Sequence, residues 1–382
     1  MTYRLAMIGC GVVCRGLMKI LVEKGAYLKE RYGFEACVTA VSDKFKGSIL
    51  VPQGLNLKGF IEHLEGGRRV DEFKADGAVY GTDPLETIKR APADVVIEVT
   101  FTDIRTGEPA ATHIREALKA GRHVVTTNKG PIALFHRELS ELARAHGVHL
   151  RHEGVVLSGT PVFNLMECCL AGNEVRELRG ILNGTTNFIL TKMEEGMEYD
   201  EALALAQRMG YAEADPTADV EGYDAMAKVL ALAKIVMGAE LAQSEVKRQG
   251  ISSITKEDVA AAANEKMRYK LIGAVRRRDG EVEAHVRPEK LDLADPLASV
   301  GGAMNALTFR TDLSGEITIQ GAGAGQIETG FALLTDLLTI HRDLRRREGV
   351  LAHAPSEPLR IKAMPDLVVE RQVMPKGMKG KG

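Results

Sequence analysis

The opening of the chain constrains the fold more than any other stretch. A short apolar run, Arg4 to Ile8, leads into the glycine turn Gly9-Cys10-Gly11 and then into GLMKILVEKG, whose apolar residues recur at helical spacing. A second β-rich run, Ala36 to Asp43, follows the loop KERYGFE, and a third, Ala93 to Thr100, follows the polar helix PLETIKRA. The helix THIREALKAG ends at Gly121, where a C-cap glycine is expected, and the strand HVVTT comes next. Each of these strands is apolar on both faces, so helices must cover the sheet from both sides. The prediction is an α/β fold with a Rossmann-like, doubly wound parallel sheet over residues 1 to about 150.

From about Val148 the rhythm changes to VHLRHEGVV, the helix PVFNLMECCLAG, the strand VRELRGIL, the polar NGTTN and the helix FILTKMEEG. Later strands, EVEAHVRP, ALTFRTD and GEITIQG, lie closer together, with turn signals at Asp279-Gly280 and Ser314-Gly315. Residues 151–320 therefore read as a second, α+β domain for catalysis and dimerisation, and about 321–345 as a return to the first domain through TGFALLTDLLTIHRD. The remainder, 346–382, with RRREG, prolines and KGMKGKG, reads as a weakly ordered tail.

A length of 382 residues accommodates two domains, and a formal net charge of -2 supplies no field that would draw the molecule to nucleic acid or an anionic membrane. A small-molecule substrate is the expectation. No apolar run reaches membrane-spanning length, and MTYRLAMIGCGVV reads as a strand rather than a signal peptide, so a cytoplasmic protein is expected. The five cysteines are odd in number and form no CxxC pair, which argues against a disulfide framework or a metal cluster. Cys168 and Cys169, in the apolar run NLMECCLAG, read as small buried hydrophobes.

The glycine turn has the strand-turn-helix context of a dinucleotide site. Gly9 permits the tight turn, Gly11 lets the backbone approach a pyrophosphate, and the helix start at Val12 and Val13 offers free amides to its charge. Cys14 stands where a third glycine is usual and is small enough for close helix–strand packing, while Gly16 falls two residues late. At the end of the second strand, Asp43 suits the ribose hydroxyls of NAD and Lys44, with Lys46, the 2′-phosphate of NADP. Both types are present, so either cofactor form is open, and the same residues also read as loop charges. Thr100, ending the third strand, joins the cofactor positions.

The stretch GYAEADPTADVEGYDAMAKVLALAKIV, residues 210–236, carries the chemistry. Asp215 and Pro216 break structure before a helix that begins near Gly222, and Asp224 and Lys228 lie four apart on one of its faces. Such spacing serves for a surface ion pair, but Ala225, Ala231, Leu232 and Ile235 surround Lys228, so a lysine held in a cleft is expected. Burial and the carboxylate pull its pKa in opposite directions. Lys129 ends the strand HVVTTNKG at the sheet edge where open α/β folds bind ligands. A carbonyl near both ammonium groups would have its developing oxyanion stabilised and protonated as hydride arrives from a nicotinamide. Lys129 and Lys228 thus form a candidate catalytic pair. NGTTN, Asn183 to Asn187, suits a substrate carboxylate and equally a turn and helix cap; Glu213 and Asp219 suit an ammonium group, Glu213 equally a solvated loop.

In order and at comparable distances, IGCGVV, TTNKGPIAL, HEGVVLSGTPV, GILNGTTNFILTKM, GYAEADPTADVEGYDAMAK and GAGAGQIETG make the chain, from about residue 4 to 340, resemble homoserine dehydrogenase. The resemblance implies reversible reduction of L-aspartate 4-semialdehyde to L-homoserine with NADPH or NADH, on the route to threonine and methionine. It sets Lys129 and Lys228 on catalytic positions, with Asp224 orienting Lys228, and Asn183, Gly184, Thr185, Glu213, Asp215 and Asp219 on substrate-binding or site-shaping positions. Gly323 and Gly325 would approach the cofactor from the second domain. Glu153, Val156, Ser158 and Thr160 are similar to a loop that holds a sodium ion, mainly by backbone carbonyls; a plain loop is the alternative. A homodimer is implied as well. Neither an ACT regulatory domain after residue 340 nor a kinase ahead of residue 1 is expected. Two other readings keep the same residues: a dehydrogenase of another amino-acid semialdehyde, and a non-catalytic nucleotide-binding sensor.

Overall fold

The computed structural model of the chain describes residues 2–347 and 349. The first sheet and its helices are β1 (Thr2–Ile8), α1 (Val12–Tyr32), β2 (Glu35–Asp43), β3 (Gly47–Leu50), α2 (Leu57–Glu65), β4 (Val79–Tyr80), α3 (Pro84–Arg90), β5 (Val95–Glu98), α4 (Ala110–Lys119), β6 (His123–Thr126), α5 (Lys129–Ala145) and β7 (Leu150–Arg151). The order is β4-β3-β2-β1-β5-β6-β7, with β1 parallel to both β2 and β5. Leu5 and Met7 pack on one side with α1, and Ala6 and Ile8 on the other with α4 and α5, so both faces of β1 are covered. That is the doubly wound arrangement, and the central strands run together at the switch point beside β1.

The edge differs from expectation. β3 is antiparallel to β2, because the chain turns from Asp43 back at Gly47 and a link that short cannot cross over, and β4 pairs antiparallel with β3 in turn. The segment after β7 is not a continuing strand: α6 (Gly154–Leu157) begins at once, since the Glu153 carboxylate accepts the amides of Val162, Phe163 and Asn164 and folds the stretch back.

The rest comprises α7 (Phe163–Cys168), β8 (Val175–Ile181), α8 (Gly184–Glu194), α9 (Tyr199–Arg208), α10 (Thr217–Val220), α11 (Tyr223–Val236), β9 (Lys247–Arg248), α12 (Lys256–Asn264), β10 (Met267–Arg278), β11 (Glu281–Asp292), β12 (Met304–Thr311), β13 (Glu316–Ala322) and α13 (Gln326–Arg347). The second sheet is ordered β13-β12-β8-β10-β11-β9 and is antiparallel except between β9 and β11. Asp279 and Gly280, both at positive φ (51° and 86°), close the β10–β11 hairpin as their sequence foretells. Leu178, Val275 and Phe309 on one face of this sheet share a core with α8 and α11.

The return helix α13 is longer than anticipated, and Arg345 to Arg347 are its last turn rather than tail. The expectation for the tail beyond 349 lies outside the described residues. Cys168 and Cys169 are exposed, not buried, because α7 ends on them at the surface. No helix among the described residues is long and apolar enough to cross a membrane.

Two glycines explain how α13 docks on α1. A Cβ at Gly16 would stand 1.9 Å from the Gln326 carbonyl oxygen, and one at Gly330 2.6 Å from the Gly16 and Leu17 backbone. The helices therefore touch backbone to backbone, and Gly16 serves this crossing rather than the glycine turn. Gly330→Leu should lower unfolding free energy by about 1–3 kcal/mol or more, measured by urea denaturation, since overpacking forces the helices apart; an unchanged midpoint would contradict the crossing.

Candidate active site

Three strand ends meet at the glycine turn. Gly9 has φ of 97°, its amide donates to Ser42 O at 2.8 Å, and a Cβ there would come within 2.5 Å of Val99 O. Only glycine fits between β1, β2 and β5. Above Gly11 nothing lies within 4 Å of an added Cβ, and no side chain caps α1, so the helix start has both room and unfilled donors for a phosphate group. Val12 is exposed and Val13 half-buried at that start. Cys14 is buried with its Sγ 3.2 Å from Met7 Sδ, the close packing that a third glycine would otherwise allow.

Asp43 and Lys46 are not idle loop charges. The Asp43 carboxylate accepts the amides of Cys10, Phe45 and Lys46 at 2.8, 2.9 and 3.0 Å, and Lys46 Nζ donates to Cys10 O at 2.7 Å. Together they lace the end of β2 onto the glycine turn. Lys44 is exposed, its Nζ 5.6 Å from the centre of the Phe45 ring. Thr100 follows β5, where its amide and hydroxyl both donate to the buried Glu98.

Lys129 does not end the strand: β6 stops at Thr126 and Lys129 is the first residue of α5. The buried Asn128 sets it in place by donating to Phe101 O at 3.1 Å and Thr100 O at 3.4 Å. Asn128 carried no recognisable signal in the sequence, being one polar residue in a turn.

From the second domain, Gly222 at φ 77° turns the chain into α11, whose helical spacing stacks Asp224 over Lys228. The pair is not a surface contact. Lys228 is buried, and its Nζ lies 2.9 Å from Asp224 Oδ2 and 2.5 Å from Leu182 O. Lys129 Nζ reaches the other oxygen, Asp224 Oδ1, at 3.5 Å. One carboxylate therefore holds both lysines, where the sequence had linked it to Lys228 alone. Asn183 adds its Nδ2 to Asp224 Oδ2 at 3.0 Å and to Asp219 Oδ1 at 2.7 Å, while its Oδ1 caps α8 at Thr186 N.

Burial alone would raise the pKa of Asp224, but the two ammonium groups and the Asn183 amide outweigh it and hold the acid well below the usual carboxylate range. Burial lowers the pKa of Lys228; Asp224 pulls it back up and Lys129 pushes it down again. Burial, then the charge of Asp224, raises that of Asp219.

These groups line one cleft of about 830 Å³ together with Gly184, Thr185, Glu213, Asp215 and Gly323. Thr185 Oγ1 donates to Tyr211 O at 2.6 Å, and the exposed Asp215 accepts Thr217 N at the start of α10. Gly325, at φ 144°, packs against Glu328 and does not line the cleft. Phe101, Thr102, Ile104, Gly210, Tyr211, Ala218, Ala303 and Ala324 complete the lining. Of these, the residues from 210 to 218 and Ala324 fall within the GYAEADPTADVEGYDAMAK and GAGAGQIETG stretches, Phe101 lies just past the end of an apolar strand, and Thr102, Ile104 and Ala303 carried no cue.

The Glu153 carboxylate is committed to the start of α7, accepting Asn164 Nδ2 as well as three amides. Val156 is buried in the core, Ser158 Oγ pairs with Thr329 Oγ1 at 2.7 Å, and Thr160 packs against Gly321. Among the described residues no group of three or more His, Cys, Asp or Glu could hold a metal ion.

Residues 9–153 match the family model of the homoserine dehydrogenase NAD-binding domain, and 161–338 that of homoserine dehydrogenase. The chain belongs to the homoserine dehydrogenase family. It is 43% identical over 356 residues to an NAD(+)-dependent homoserine dehydrogenase of Pseudomonas canavaninivorans, spanning 91% of this chain and 98% of that one. The crystal structure of a putative homoserine dehydrogenase from Archaeoglobus fulgidus superposes at TM-score 0.79 with 36% identity, covering 89% and 99% of the two chains. A hyperthermophilic archaeal homoserine dehydrogenase mutant in complex with NADPH gives 0.77 and 29%, covering 90% and 98%. The chain is thus a nicotinamide-dependent oxidoreductase with an α/β NAD-binding domain and a second sheet domain.

Asp224→Asn should shift deprotonation of Lys228 to lower pH, because the charge that favours the ammonium form is gone. The pH dependence of Lys228 acylation by limiting acetic anhydride reads this directly; an unmoved titration would count against the shared carboxylate.

Proposed function

We propose that the chain catalyses reversible reduction of L-aspartate 4-semialdehyde to L-homoserine, in the aspartate-derived pathway to threonine and methionine, with NAD as the preferred cofactor. The observation that carries this is the Asp224 carboxylate shared by Lys129 and Lys228 in one cleft. The nicotinamide, when bound, supplies or receives the hydride. The lysine ammonium groups hold the aldehyde oxygen and deliver a proton to it as negative charge builds there; in the reverse direction a lysine amine removes the hydroxyl proton. Asp224 fixes where both amines point.

Gly184 and Thr185 suit the substrate carboxylate: they open α8, and the Asn183 cap goes to Thr186 rather than to their amides. Glu213 and Asp219 suit the substrate ammonium, and Asp215 shapes the site by starting α10. On the cofactor side we assign Gly9, Gly11, Val12, Val13, Asp43, Lys44, Thr100 and Gly323, with Lys129 beside the nicotinamide. Gly325 acts at most through the turn that carries Gly323.

The preference for NAD is supported by Asp43 at the end of β2 and by the NAD(+)-dependent Pseudomonas relative. Two nearby cations are already engaged, Lys46 by Cys10 O and Arg69 by Asp71, so neither is free for a 2′-phosphate.

Three further assignments belong to the same reading. The chain divides at about residue 150, with about 321–345 returning to the first domain. A sodium ion would be held by backbone carbonyls of Glu153, Val156, Ser158 and Thr160, the Glu153 carboxylate being committed elsewhere. The protein is a cytoplasmic homodimer. Support for dimerisation is polar: Arg310, Glu177, Arg276 and Glu283 alternate in sign in one row across four strands, beside a hollow of about 630 Å³. Sedimentation at micromolar concentration should give a dimer; monomer alone would overturn that assignment.

A paired assay with NAD and NADP against homoserine tests reaction and cofactor together: homoserine-dependent NADH formation, faster than NADPH formation, is expected. Lys228→Ala and Lys129→Ala should each lower kcat by about 10²–10⁴-fold with cofactor affinity of the Lys228 variant retained. Turnover of a different semialdehyde in a substrate panel, or none with homoserine, would refute the reaction.

A further inference from the structure

Asn305, on β12, is fully buried, yet neither its Oδ1 nor its Nδ2 has a hydrogen-bond partner among the described residues. Its neighbours on the same side of the strand, Leu307 and Phe309, lie in the core under the helices, so an apolar residue would follow the pattern at 305. What surrounds the amide is unusual. A Cβ on Gly323 would meet Asn305 Cγ, Nδ2 and Oδ1 at 2.2, 2.3 and 2.4 Å, so the amide lies flat against the Gly323 backbone. A Cβ on Gly184 would stand 3.3 Å from Asn305 Oδ1 and 2.6 Å from Ala303 O. Both glycines, with Ala303, line the cleft. Gly323 is not held at positive φ, so the closeness of this amide is what requires glycine there.

We propose that Asn305 is a positioning residue of the cleft, its amide seated between the Gly184 and Gly323 backbones and setting the span between them. The proposal rests on the reading that Gly184 faces the substrate and Gly323 the nicotinamide. Hydride transfer demands close alignment of the two, and a misplacement of about 1 Å can lower the rate about 10²-fold. A buried amide without a partner opposes folding, so an apolar residue would serve stability better; its presence between two cleft walls is explained by the geometry it imposes.

The test uses the full chain with Asn305→Leu, which keeps the branched shape, and Asn305→Ala, which relieves crowding should leucine prevent folding. Melting temperature, NADH affinity by fluorescence titration without substrate, and kcat and KM for homoserine are measured on the same preparations. For Asn305→Leu melting within about 2 °C of the parent or higher is expected, because no protein hydrogen bond is lost, whereas Asn305→Ala, which leaves a small cavity, melts a few degrees lower. NADH affinity should weaken severalfold, and kcat fall about tenfold or more with KM for homoserine changing less. Variants that keep NADH affinity and kcat within about twofold of the parent, or that lose activity only in step with a large drop in melting temperature, overturn the proposal. A parent inactive on homoserine whose variants still bind NADH more weakly would refute the substrate reading and support this one.

Discussion

The Asp224 carboxylate is the point at which the two halves of the chain become one site. It receives Lys129 from the start of α5, Lys228 from its own helix and Asn183 from the start of α8. Two cations this close without an anion between them would repel each other, and the buried Lys228 would be driven further toward its neutral form. A carboxylate with both oxygens engaged makes the pair tolerable, and it leaves the amines facing one cleft instead of two. Removing one partner of such a cluster is more disruptive than its pairwise contacts suggest, since the charge that remains is buried and unpaired. The lowered pKa of Asp224 and the lowered basicity of Lys228 are two views of this one arrangement.

The scaffold delivers those groups by bringing backbone close to backbone. At Gly9 the β1 turn passes against the end of β5, and at Gly16 and Gly330 α1 lies against α13. The last helix among the described residues thereby braces the first, and the cofactor turn sits between that brace and the sheet edge. Asp43 and Lys46 add a polar lacing from β2 to the same turn. Rigidity here comes from packing and paired polar groups on strands and helix ends, which is how reacting groups are kept within a fraction of an ångström of alignment.

Much of this was legible in the sequence because it rests on local periodicity. The apolar strands with helices between them specified the covered parallel sheet, Asp279-Gly280 the β10–β11 hairpin of the second sheet, and the four-residue step from Asp224 to Lys228, set in apolar neighbours, the buried ion pair. What escaped depends on contacts between distant segments. Nothing near Glu153 announces that its carboxylate will cap a helix that begins ten residues later. Nothing near Gly16 names Gly330 as its partner, so it read as a misplaced third glycine. The antiparallel β3 and β4 are too short to show a period, and Cys168 and Cys169 were assigned inward by composition when the end of α7 turns them outward.

The same limit governs where stability is given up. Asn128 before α5, Asn187 in α8 and Asn305 in β12 are buried, and each has a side-chain oxygen with no hydrogen-bond partner among the described residues. Their amide nitrogens divide the three. Asn128 donates to the Thr100–Phe101 loop and Asn187 to Val300 and Met304, so each ties an element of the cleft to a neighbour across it. Asn305 ties nothing, although each buried polar group without a partner costs about 1–3 kcal/mol. A protein of marginal stability loses a large share of its margin to a few such groups. Asn305 packs against Gly184 and Gly323 of the cleft, while Leu307 and Phe309 on the same side of its strand lie in an apolar core, so the geometry of this cleft, rather than the hold of the fold, is what the residue is for.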